Sequence, residues 1–282
     1  MYAFVHLETR GAWLNRPRYQ APTAKPPLTG MELSSREQAT LLQERPRRWG
    51  LWATLAWSAG AAVVLVVSQT LGAIVFLAAR GALVPGEPIP LDNLESNGPM
   101  LATAFLLSTP LVLGYFAFAV RLARVPFGEY MALRRAKWRD ILVGVGALAA
   151  VLMVAGLGAT LSGQETPDFM TETFRTARDA GMLPLFFFSF AVLAPVQEEL
   201  FFRGFLYRGL SASIGPWVTI VLTSAVWSVV HLQYEWFFVA EIFLLGVVFG
   251  WLRMRSGSTI LTMLLHGGMN MLAVLHAGTQ AG

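Results

Sequence analysis

The sequence predicts an all-α, polytopic membrane bundle of about seven transmembrane helices with its N-terminus inside. Three observations predict it. Of 282 residues, 55% are hydrophobic and only 13% are charged, where an ordinary soluble domain carries about 25% charged residues. Apolar stretches of roughly 20 residues, the length a helix needs to cross a bilayer, recur along the chain after residue 48. The basic residues, which raise the isoelectric point to ≈ 9.8, collect in alternate segments between those stretches. This balance excludes a soluble enzyme, a disordered protein and a nucleic-acid binder. The absence of cysteine removes disulfide frameworks, thiolate metal sites and cysteine nucleophiles.

Residues 1–48 hold five prolines and no spanning run, so a flexible cytoplasmic tail is expected there. No cleavable signal peptide is expected, and Met31 is a plausible alternative start. Spans are expected at 51–79, 99–120, 140–161, 183–202, 216–232, 236–252 and 258–276. These runs are continuously apolar rather than alternating. In hydrocarbon that pattern selects helices, whose backbone groups pair within one segment, over a barrel. Residues 49–182 are expected to be scaffold helices and residues 183–282 the catalytic helix core. With the N-terminus inside, 18 of the 21 Lys and Arg residues fall on the inner side, and only Arg80, Arg175 and Arg178 outside. That asymmetry is the positive-inside bias.

Ionisable residues within spans are rare and usually functional. Here they are Glu198, Glu199, Arg203, His231, Glu241 and His266, with Gln197 and Asn270 as uncharged polar neighbours. Almost all lie in the last four expected spans. On a helix, Glu199 and Arg203 are four apart and share a face, while Glu198 points about 100° away. Pro195 frees backbone carbonyls nearby. Counting from the turn near Ser211–Pro216 places Glu198, His231 and Asn270 at similar depths of about 18–22 Å on three helices. His266 and Asn270 share one helix face. Trp227, one turn before His231, suits packing under its ring. Glu241 suits either a supporting place or an ordinary interhelical hydrogen bond, and His276 an interfacial one.

A carboxylate and a histidine around a small polar hollow can hold a water. Glu198 takes its proton, and the hydroxide attacks a carbonyl. The oxyanion then needs N–H donors, which Asn270 and His266 carry. No Gly-x-Ser-x-Gly elbow supports a serine nucleophile. The residues alone leave a rival open: Glu198, His231 and His266 as a zinc set with one open position.

Glu198-Glu199-x-x-x-Arg203, Trp227-x-x-x-His231 and His266-x-x-x-Asn270 follow one another on successive apolar segments within residues 183–276. Together they resemble the CPBP family: the CAAX prenyl endopeptidases and bacteriocin-immunity-type membrane proteins, once called the abortive-infection family. The resemblance implies an intramembrane glutamic endopeptidase. Glu198 would be the water-activating base and His231 its partner. His266 and Asn270 would form the oxyanion hole, with Glu199 and Arg203 supporting. No cofactor is implied, with zinc the alternative. The implied partners are a membrane-anchored or lipidated peptide or protein substrate and the lipid bilayer, with no nucleic acid. Trp227 departs from the family's usual phenylalanine. A bacterial inner membrane is the expected location. The competing readings are a non-enzymatic membrane immunity or binding protein and, behind it, a transporter with a proton relay.

Overall fold

The computed structural model describes residues 49–83, 94–165 and 167–281, and the regular elements among them are all helical. The tail expected at 1–48 lies outside the described residues. In chain order the helices are α1 (Leu51–Ala79), α2 (Gly98–Leu122), the single turn α3 (Phe127–Tyr130), α4 (Trp138–Ser162) and α5 (Asp168–Asp179). They are followed by α6 (Leu183–Ile214), α7 (Pro216–Val229), α8 (Trp236–Ser256) and α9 (Thr259–Gln280). Six of them, α1, α2, α4, α6, α8 and α9, are long and apolar enough to cross a membrane. That is the content of a multi-pass integral membrane protein. Their outer faces expose Val63, Val66, Leu157, Leu161, Leu264 and Leu272, a surface made for lipid rather than water.

Six such helices stand near the expected seven, and the difference lies in the fifth run. The run at 216–232 becomes a helix of only 14 residues, about 20 Å long against a hydrocarbon core of about 30 Å. Conversely α6 continues to Ile214, 32 residues in all, instead of stopping at 202. The two are divided by Gly215, whose φ of 82° lies in the left-handed region that glycine tolerates best. Pro216 then opens α7 at a position where its missing N–H has no helical partner to lose.

Contacts between small residues set how the helices lie. A Cβ on Gly246 would sit 2.9 Å from the Ser224 side chain, and one on Gly250 2.9 Å from Ile220. The reversed order shows that α7 runs antiparallel to α8, with backbones brought close as small residues allow. Thr54, near the start of α1, fills the space beside Gly209 near the end of α6. At the opposite end of the bundle the Ala281 carbonyl, just beyond α9, accepts from Arg178 Nη1 of α5 at 2.8 Å. The described chain therefore enters and leaves at opposite ends of the bundle.

Helix α5 was not among the expected elements. It buries Met170, Thr173 and Ala177, spaced for one helical face, and turns Glu172, Arg175 and Asp179 outward. The Thr176 hydroxyl accepts from Gly98 N–H at 2.9 Å, which ties α5 to the first residue of α2.

Candidate active site

The site begins with irregularities in α6. Two π-helical turns, Ser189–Leu193 and Leu200–Leu206, flank the α-helical segment Ala194–Glu199. Such turns are uncommon and gather at functional sites. Pro195 lacks an N–H and cannot pair with a carbonyl upstream. Asn270 Nδ2 takes up the Phe190 carbonyl at 2.9 Å. Gly267 brings α9 onto the same stretch, for a Cβ there would lie 2.4 Å from the Ala191 carbonyl oxygen.

The paired glutamates diverge from this segment. Glu199 points inward and is 0% exposed. Its Oε1 accepts from Arg203 Nη1 at 2.9 Å and from His266 Nδ1 at 3.1 Å. Arg203, 2% exposed, also donates from Nη2 to the Gly246 carbonyl at 3.1 Å. Its guanidinium lies 4.7 Å from the centre of the Trp227 ring and 5.4 Å from that of Phe249. A charge this deep persists only when it is paired and hydrogen-bonded, and here both conditions hold.

Glu198 is only partly buried, and its Oε2 accepts from Trp227 Nε1 at 2.6 Å. His231 lies beyond the end of α7, in the turn that leads to α8, and not within a helix as expected. The last carbonyls of a helix have no intrahelical donors. One of them, on Trp227, meets His231 Nδ1 at 2.7 Å. A carbonyl only accepts, so Nδ1 carries the hydrogen and Nε2 is the open nitrogen. The same logic leaves His266 with Nε2 free, since its Nδ1 donates to the Glu199 carboxylate.

Trp227, 1% exposed, joins these groups. Its ring centre is 5.4 Å from that of His231 and 5.3 Å from that of His266. Phe249 stacks on the His266 ring at 5.4 Å. Tyr234 stacks on His231 at 6.3 Å and donates its hydroxyl to Met170 Sδ at 3.1 Å, so α5 covers this edge of the site. The structure thus brings Glu198 and His231 onto Trp227, and Glu199, Arg203 and His266 into one bonded group beside it. Asn270 is bonded separately, on α6, to a residue eight positions before Glu198.

Several expectations change here. His266 is tied to Glu199, a contact that the spacing alone did not predict. The zinc set of Glu198, His231 and His266 is not assembled: among the described residues no three His, Asp or Glu side chains are placed to hold a metal ion. The reason is that His266 is drawn to the buried glutamate and Glu198 to the indole. Gln197 is an interhelical strut, its amide bonded to Thr109 Oγ1 and, at 3.2 Å, to Ser108 Oγ of α2. Tyr234 and Phe249 were missed, although each follows a segment already marked by a polar residue. Glu241 stays partly buried within α8, and His276 is exposed near the end of α9.

Comparison with known proteins follows the same residues. Residues 180–272 match the family described as Type II CAAX prenyl endopeptidase Rce1-like, a stretch that contains every residue from Glu198 to Asn270. The chain is also 33% identical over 135 residues to an uncharacterized 24.3 kDa protein of Escherichia coli. That match takes in 46% of this chain and 61% of the relative's length. No solved structure matches the chain.

Proposed function

We propose, from the premise that residues 180–272 form a domain of the Rce1-like type II CAAX prenyl endopeptidase family, that this chain is an intramembrane endopeptidase. It hydrolyses a peptide bond in a membrane-anchored or lipidated substrate. Glu198 accepts a proton from a water held against His231 Nε2, and the hydroxide oxygen adds to the scissile carbonyl carbon. The oxyanion takes hydrogen bonds from the amide hydrogen that Asn270 does not give to Phe190 and from His266 Nε2. For that donation the His266 ring carries both protons, its charge facing the Glu199 carboxylate. Collapse of the adduct breaks the C–N bond, and Glu198 returns its proton to the leaving amine. Arg203 keeps Glu199 in place.

The observation that carries this reading is the double use of Trp227. One residue binds the Glu198 carboxylate at 2.6 Å through its indole and the His231 ring at 2.7 Å through its carbonyl. The carboxylate and the imidazole are thereby held in register at a partly open edge. The charge asymmetry supports an N-in orientation with the last residues on the far side, and a bacterial inner membrane is the proposed location.

The test is cleavage of a membrane-anchored peptide by the full chain in liposomes. Glu198→Gln and His231→Ala should each lower the rate by about 100-fold or more, the usual weight of a positioned acid–base group, while both variants insert normally. Undiminished cleavage by either would overturn the assignment.

A further inference from the structure

Three arginines lie at the end of the bundle that carries the loop between α2 and α4, and among the described residues none of the three is in an ion pair with a carboxylate. Arg208, on α6, donates from Nη1 to the backbone carbonyls of Glu129 at 2.7 Å and Tyr130 at 3.2 Å. Its guanidinium lies 4.7 Å from the centre of the Tyr130 ring. Arg253, on α8, donates from Nε to the Arg203 carbonyl at 3.0 Å and lies 5.1 Å from the ring of Tyr207, the residue next to Arg208. Arg134 is held alongside because its own carbonyl accepts from Ser258 Oγ at the start of α9, at 2.5 Å.

Arg253 rests on the ring of Tyr207, the neighbour of Arg208, and Ser258, which holds the Arg134 backbone, is five residues beyond Arg253, so the three side chains start from one end of the bundle. Burial pushes the Tyr130 hydroxyl up to about 12, so the ring under Arg208 is neutral and offers no counter-charge. The ion pairs among the described residues lie elsewhere, as at Arg175–Glu172, Arg203–Glu199 and Arg255–Asp140. Glu129 gives Arg208 its carbonyl instead of its carboxylate. Among the described residues the hydrogen bond of Arg253 is made through Nε, and its side chain is only partly buried.

We infer that Arg134, Arg208 and Arg253 form a site for the phosphate of an anionic membrane lipid. A guanidinium fork matches phosphate oxygens two at a time, and basic pockets between spans are suited to lipid headgroups. The level of the site favours a lipid over free phosphate. Arg255, one half-turn from Arg253, pairs with Asp140, two residues after Trp138, which is 65% exposed. Exposed tryptophans sit at the headgroup boundary. The inference does not depend on the protease reading.

The test uses the full chain in nanodiscs of phosphatidylcholine, with or without phosphatidylglycerol, and inorganic phosphate as a separate arm. Phosphatidylglycerol should raise the unfolding temperature of the wild type and of an Arg121→Gln/Arg124→Gln control. An Arg208→Gln/Arg253→Gln variant of the same net charge should show no such rise. Equal responses of the two pairs, no response of the wild type, or a rise with inorganic phosphate alone would each overturn the site. A second measurement does not need the double variant to fold. Native mass spectrometry of the detergent-extracted wild type should retain one phosphatidylglycerol, and Arg134→Gln should weaken retention about fivefold, the worth of one interfacial arginine. Retention unchanged in Arg134→Gln, or no lipid retained by the wild type, would count against it.

Discussion

Trp227 shows how much one side chain can organise. A phenylalanine would keep the ring that touches both histidines and Arg203, but it has no N–H for Glu198. Trp227→Phe should therefore lower kcat about tenfold or more, by loss of a hydrogen bond to a charged group, and leave KM unchanged. Steady-state cleavage kinetics check this, and a rise in KM at constant kcat would point to lost packing instead. Glu199 makes the complementary case. Glu199→Leu leaves Arg203 buried without its partner and should cost about 3–5 kcal/mol. Adding Arg203→Met removes the stranded charge and should recover much of that loss in thermal unfolding. A double variant less stable than Glu199→Leu alone would argue that Arg203 is held mainly by its aromatic neighbours.

Among the elements, α6 carries the chemistry because it is irregular. A regular helix would spend every carbonyl on its own N–H groups. The π turns and Pro195 leave the Phe190 carbonyl for Asn270, and the bare backbone at Gly267 lets α9 approach closely enough for that bond. Gly267→Ala should destabilise the protein by about 1–3 kcal/mol, since its Cβ meets backbone that cannot move aside cheaply. Gly268→Ala, with nothing within 4 Å of its Cβ, should be neutral or stabilising by up to about 1 kcal/mol. Chemical or thermal unfolding in detergent distinguishes the two. Equal effects would show that the approach of α9 to Ala191 is not tight.

For the whole molecule, two ends differ in charge. Arg121, Arg124, Arg134, Arg208 and Arg253 gather at one end, while Arg80, Arg175 and Arg178 mark the other. The short α7 and the turn after it place His231 against the bundle at a level that a full span would have carried past. Irregular backbone at membrane depth is tolerated only against protein or a wet cavity, which is where His231 and Tyr234 stand. A reporter fused after Gly282 should report the side opposite to one fused before Met1. Matching signals would mean that α7 does not complete a crossing.

By itself the sequence determined the material and the division of labour. Spans, charge bias and polar residues confined to the last third are local properties, readable because a bilayer demands long apolar runs and penalises every charge within them. The four-residue spacing of Glu199 and Arg203 was likewise enough to put them on one face. Only the tertiary structure decided which partner each group takes. His266 could have faced either glutamate, and it joins Glu199 because α9 packs at Gly267 against the π-turned start of α6. The indole of Trp227 became the donor to Glu198 because α7 ends early and turns His231 back on its own last carbonyls. Such choices are made between segments far apart in the chain, by packing that no local period records.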